Sequence, residues 1–200
     1  MRNFKFVTAV FFVAATECFG QSACRSVADD RERLACYDLE NGVSLVEQDK
    51  GEHGKWEKSV EISQLTDDKN VFLVLVSEND ISARFGSPGP ATIMLRCSEN
   101  TTAAFFLFNG HFMSDIQGYG RVEYRIDDKK MRTVNTSAST DHEALGLWSG
   151  AKAIPFIKEL LEGSQLVVRA TPHSESAVTA TFDIRGIDNA VEELRETCGW

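Results

Sequence analysis

Val71-Phe72-Leu73-Val74-Leu75-Val76 is a run of six apolar residues rich in β-branched side chains. Stiff branched side chains pack well on a pleated surface, and a run apolar on both faces predicts an interior strand of a two-layer β structure. Ala103-Ala104-Phe105-Phe106-Leu107-Phe108 reads the same way. Between these runs, Thr92-Ile93-Met94-Leu95-Arg96-Cys97 follows the turn cluster Gly86-Ser87-Pro88-Gly89-Pro90. The three are therefore expected to be neighbours, since glycine and proline punctuate antiparallel strands in this way.

Working outward, Val122, Tyr124 and Ile126 alternate with Glu123, Arg125 and Asp127, the period of a strand with one wet face. Asp128-Lys129-Lys130 should turn that strand, so that residues 131–135 pair back on it. The period changes over residues 151–162, where Ile154, Ile157, Leu160 and Leu161 fall on one helical face and Gly163 takes the place of a C-terminal cap. Strands follow over 165–171 and 178–184, and Asp188 is placed to cap a last helix with Val191 and Leu194 inward. The predicted fold is mainly β: an antiparallel, β-sandwich-like (or α+β) domain with two or three short helices, stapled by disulfides.

At the N-terminus, Arg2 and Lys5 precede an apolar run of about ten residues, from Phe6 to Ala15, which is the length of a secretory signal and too short to span a bilayer. Residues 1–20 are expected to be a signal peptide, 21–54 a small helical segment with a polar connector, and 55–200 the β-rich domain. The expected location is periplasmic, with no stable membrane span after signal removal. The formal charge is −9, and losing Arg2, Lys5 and Glu17 with the signal would make it −10. Such a surface repels phosphate backbones, so no nucleic-acid partner is expected.

Loss of Cys18 with the signal leaves Cys24, Cys36, Cys97 and Cys198, an even number that allows three disulfide connectivities in an exported chain. The preferred pairing is Cys24–Cys36 with Cys97–Cys198. A single helix over 24–36 would hold its ends about 18 Å apart, beyond disulfide reach. Asp29 or Asp30 should instead start a short helix, with the residues before it folded back. No Cys-x-x-Cys occurs, and His53, His111, His142 and His173 are scattered, so neither metal nor cofactor is expected.

Catalytic signatures are sparse. Gly-x-Ser-x-Gly, His-Glu-x-x-His and the phosphate-binding Gly-rich loop do not occur. A dispersed Ser-His-Asp arrangement remains open at this level, because such groups are recognised by geometry. The pairs Asp67-Asp68 and Asp127-Asp128 suit either solvated turns or the two carboxylates of a glycosidase. Arg96, Arg125, Arg169 and Arg185 lie in or beside predicted strands, where they either pair across a wet face or combine into a carboxylate site. Arg96, Arg125 and Arg169 are the candidate binding residues. Trp56 and Trp148 are candidates for exposed stacking platforms.

Several stretches together resemble the VasI/TagO family of small exported bacterial proteins associated with type VI secretion. They are Cys24 with Arg33-Leu34-Ala35-Cys36-Tyr37-Asp38, then Trp56, Ser63-Gln64-Leu65-Thr66-Asp67-Asp68, Leu95-Arg96-Cys97, Val122-Glu123-Tyr124-Arg125-Ile126-Asp127, Ala180-Thr181-Phe182-Asp183 and the Cys198-Gly199-Trp200 end. The resemblance implies a periplasmic accessory role near a contractile secretion apparatus and carries over no catalytic residue. Secretion-apparatus proteins or cell-wall components are the expected partners. An inhibitor or immunity-type protein against an exported enzyme, or a cell-wall hydrolase, are the alternative expectations. Arg33 is expected to pair with Asp38 or cap the short helix.

Overall fold

The computed structural model describes residues 23–30, 33, 34, 36, 37 and 53–200. The chain divides into two compact units, 1–45 and 46–200. The expected signal peptide and most of the connector lie outside the described residues.

In the first unit, Ala23–Ser26 forms a 3-10 turn closed by the Val27 N–H donating to the Cys24 carbonyl, and helical residues begin at Asp30. Folding back in this way brings the Cα atoms of Cys24 and Cys36 to 5.4 Å, within disulfide reach, and the bond is formed. Arg33 pairs with Asp30; the expected Asp38 partner lies outside the described residues. The same guanidinium donates to the Val27 carbonyl and so ties the turn to the helix.

Among the described residues, the second unit carries ten strands in two antiparallel sheets. The first sheet has the order β1-β2-β3-β4-β8-β7 and the second β10-β9-β5-β6. The strands are β1 (Glu57–Ile62), β2 (Lys69–Ile81), β3 (Gly89–Ser98), β4 (Thr101–Leu107), β5 (Arg121–Ile126), β6 (Arg132–Asn135), β7 (Ser137–Ala138), β8 (Ala144–Leu147), β9 (Gln165–Ala170) and β10 (Val178–Asp183). As the alternation predicts, β2, β3 and β4 are neighbours, with Leu73 opposite Leu95 and Leu95 opposite Ala104. β6 pairs back on β5.

One apolar core joins both sheets. From the first come Leu73, Leu75, Ile93, Leu95 and Phe106, and from the second Val122, Tyr124, Leu166, Val168, Ala180 and Phe182. β2 departs from the expectation of burial on both faces. Val71, Leu73 and Leu75 are buried, Phe72 and Val74 are half-buried, and Val76 is exposed. The outer face of the first sheet at β2 is thus apolar in sequence yet partly open.

Helix α1 (Gly150–Leu160) buries Ala153, Phe156, Ile157 and Leu160, a face rotated from the expected one so that Ile154 and Leu161 are only half-buried. The Phe156 ring explains the rotation. It meets Phe106 of β4 and Tyr124 of β5 edge-on, at centroid distances of 5.9 and 5.3 Å, and so fills the space between the sheets. Gly163 is not a left-handed cap. It is glycine because a Cβ there would lie 2.2 Å from Ile126 Cγ2.

Short helices α2 (Ile187–Ala190) and α3 (Glu192–Cys198) end the chain. The N-cap of α2 is Gly186 in the left-handed region, and Asp188 sits in the first turn instead of capping it. Val191 and Leu194 are fully buried, as their spacing predicts. Three sets of contacts clamp α3 to the first sheet. Cys198 is bonded to Cys97 of β3, Glu193 accepts Lys58 and Lys69 at 3.0 and 2.6 Å, and the Trp200 indole donates to Thr102 at 2.9 Å. Among the described residues, no helix is long and apolar enough to cross a membrane.

Candidate functional site

The three candidate arginines do not share one face. Arg125 on β5 and Arg169 on β9 lie on the outer face of the second sheet, whereas Arg96 on β3 lies on the outer face of the first. Period-2 alternation turns each outward, because its neighbours Leu95, Cys97, Tyr124, Ile126, Val168 and Ala170 are the buried set.

On the second sheet, Arg125 stands opposite Val167 and Glu123 opposite Arg169, so the two arginines are diagonal neighbours on adjacent strands. Diagonal neighbours lie about 7–8 Å apart, which suits two guanidinium groups approaching one partner. Arg169 reaches Glu123 at 3.6 Å, and its Nε donates to Thr179 at 3.4 Å. Arg125 has no ion-pair or hydrogen-bond partner among the described residues. With Met131, Val167 and Thr179 the two arginines line a shallow depression of about 350 Å³. Arg185 is engaged differently, since it chelates Asp183 at 2.7 and 2.5 Å and holds that carboxyl down at about 2.

The acid pairs are turn residues. Asp67 and Asp127 both adopt left-handed backbone, and the Asp127 carboxylate accepts the Ser164 and Gln165 N–H groups at 2.9–3.2 Å. That carboxylate organises the loop into β9. Trp56 is a core residue at 5% exposure, its indole donating to the Ile184 carbonyl, so it offers no stacking platform. Trp148 is half-buried and lines a groove on the outer face of the first sheet.

One arrangement escaped the sequence. Ser82, His111 and Glu175 come together from three loops, with His111 Nδ1 3.0 Å from Glu175 Oε2 and Nε2 3.3 Å from Ser82 Oγ. Residue separations of 29 and 64 leave no local motif to find. A serine nucleophile needs an imidazole nitrogen that accepts its proton. Here Nε2 lies closer to the Ser82 carbonyl, at 2.8 Å, and a carbonyl can only accept. The carbonyl at Nε2 and the carboxylate at Nδ1 are both acceptors, so the ring bridges the 82 and 175 loops only by donating from both nitrogens, which leaves none to take a proton from Ser82. Nearby, Phe112 stacks on His142 at 4.5 Å, and Tyr119 and His173 meet at 5.1 Å. Among the described residues, no three His, Cys, Asp or Glu side chains gather as metal ligands would.

One partly buried group, the Tyr124 hydroxyl, carries unusual electrostatics. Tyr124 donates its phenol to Glu159 at 2.9 Å, and burial first, then that hydrogen bond, push its ionisation up to about 12. Arg132 also reaches Glu159, at 2.7 Å, and closes the β5–β6 hairpin onto α1.

Comparison with known proteins adds the family. No curated protein matches the chain. Among solved structures, it is similar to invasion associated protein B from Bartonella henselae, at 13% identity and a TM-score of 0.48, over 74% of this chain and 96% of that one. The family model described as "Type VI secretion system VasI, EvfG, VC_A0118" matches residues 23–200, which spans both disulfides and every strand among the described residues. The chain belongs to this VasI family of type VI secretion system proteins.

Proposed function

We propose that this is an exported periplasmic accessory protein of type VI secretion, acting by binding rather than catalysis through the Arg125–Arg169 face. The observation that carries the reading is the unspent guanidinium of Arg125 beside the loosely held Arg169 on a rigid sheet. Arginine offers a planar fork of donors that matches carboxylates bidentately, so two of them on adjacent strands favour an acidic segment of a secretion-apparatus protein. The Cys24–Cys36 and Cys97–Cys198 bonds fit an oxidising compartment. The apolar run behind Arg2 and Lys5 fits the route there.

A cell-wall hydrolase is the second reading, because Ser82, His111 and Glu175 do lie together. The carbonyl contact at Nε2 weighs against it. One pair of assays tests both. Purified protein should release no fragments from peptidoglycan, and a deletion strain should lose secretion that is restored equally by the wild type and by Ser82→Ala. Fragment release that disappears in Ser82→Ala would replace the accessory reading with the hydrolase.

A further inference from the structure

A concave surface lies on the outer face of the first sheet, remote in topology from Arg125. It is a groove of about 430 Å³ between the β3–β4 surface and the segment from β7 to β8, and it falls in the size range of small-ligand sites. Its centre is Arg96. The guanidinium carbon lies 5.5 Å from the Phe105 ring centroid and 5.9 Å from that of Trp148, so both aromatic faces support the cation. The rings themselves are 5.0 Å apart and tilted by 31°.

This platform is built into the strands. The Trp148 indole donates to the Ser137 carbonyl at 2.9 Å, which fixes the ring. Gly146 clears the space beneath it, since a Cβ there would lie 2.5 Å from Trp148 Cε2 and 2.9 Å from Phe105 Cβ. Arg96 is thus held by stacking alone. Among the described residues it has neither a hydrogen-bond nor an ion-pair partner, and its donors are left for a ligand.

The rim has the opposite charge. Asp141 and Glu143 line the same groove without pairing to Arg96. The Ser139 hydroxyl and the Glu143 N–H hold the Asp141 carboxylate in place, keeping it below the usual carboxylate range. A simple anion drawn to Arg96 would meet repulsion from that rim, whereas a ligand with a cation some way from its carboxylate would satisfy both ends. The edge strand offers little backbone to a passing chain, because the Ala138 N–H is taken by Asp115 and the Ser137 carbonyl by Trp148. A chain end entering the groove fits better than an added strand.

We propose that this groove captures the C-terminus of a partner polypeptide, with the terminal carboxylate on Arg96, an apolar terminal side chain on Trp148, and a basic residue just upstream at Asp141 and Glu143. Stacking pre-organises the guanidinium, so little ordering cost falls on binding.

The probe is the tripeptide Lys-Ala-Phe, titrated into the oxidised protein while the Trp148 indole N–H resonance is followed. Saturable shifts of that resonance are expected in wild-type protein. The C-terminal amide should bind about tenfold or more weaker, and Glu-Ala-Phe should also be weaker. Arg96→Gln should lower affinity for the acid about tenfold while leaving the amide unaffected, the signature of a direct guanidinium–carboxylate contact. Asp141→Asn keeps Arg96 intact and should weaken Lys-Ala-Phe several-fold, which gives a readout even where Arg96→Gln does not fold. Equal binding of acid and amide, or no shift of the Trp148 resonance at millimolar peptide, would overturn the proposal.

Discussion

Asn79, near the end of β2, hydrogen-bonds the backbone of β10 as a neighbouring strand would, its Oδ1 accepting the Thr181 N–H at 2.9 Å and its Nδ2 donating to the Thr179 carbonyl at 3.1 Å. The contact joins the two sheets across 102 residues, at the point where the β2–β3 register shifts between Val76 and Asp80. It also satisfies the open edge of β10, which would otherwise present unpaired groups. Asn79→Ala should cost about 2 kcal/mol, two hydrogen bonds at roughly 1 kcal/mol each, read from the denaturant midpoint. An unchanged midpoint would show that water replaces the amide without loss.

The two disulfides should contribute unequally. Cys97–Cys198 spans 101 residues and Cys24–Cys36 spans 12. Loop-closure entropy assigns about 4.7 kcal/mol to the long loop and about 3 kcal/mol to the short one. Paired Cys→Ser variants, Cys97/Cys198 and Cys24/Cys36, should therefore rank in that order in equilibrium unfolding. The reverse order would mean that the clamp of α3 survives on Glu193 and Trp200 alone.

The adjacency of β2, β3 and β4, and of β5 and β6, was legible because these strands alternate, or run apolar, between clear turn signals, and Val122, Tyr124 and Ile126 are the buried set that alternation predicts. What stayed hidden depends on partners distant in sequence. Trp56 is buried by a carbonyl 128 residues away, and no local pattern announces that. Arg96, Arg125 and Arg169 each read as outward strand residues, yet which sheet a strand joins is not written in its period. The Ser82–His111–Glu175 clamp is likewise a product of three loops meeting.

Stability should fall at both extremes of pH for identifiable reasons. The Arg185 hydrogen bonds hold Asp183 down at about 2, against about 4 for an unfolded aspartate, so its contribution is complete above about pH 4 and is lost as pH falls through about 2. Arg185→Ala should shift the acid unfolding midpoint upward. Tyr124, raised to about 12 from an ordinary 10, contributes fully below about pH 10 and loses that contribution as pH rises through about 12. Phenolate absorbance should show one tyrosine ionising late, and Tyr124→Phe should remove that step.

Gly146→Ala tests the platform under Arg96. The added methyl meets a ring fixed by its indole hydrogen bond, so overpacking should cost about 1–3 kcal/mol and change the tryptophan emission. Wild-type emission and stability would show that the Trp148 ring moves aside freely.

Capture of a secretion-apparatus protein from periplasmic extract, compared between wild type and Arg125→Glu, tests the binding face most directly. Arg125 is exposed and unpaired among the described residues, so its reversal should leave the thermal melt nearly unchanged, within the roughly 0.5 kcal/mol typical of surface substitutions. The expected result is loss of capture by Arg125→Glu at equal stability, with wild-type secretion failing to be restored by the variant. Undiminished capture by a folded Arg125→Glu protein would contradict the account.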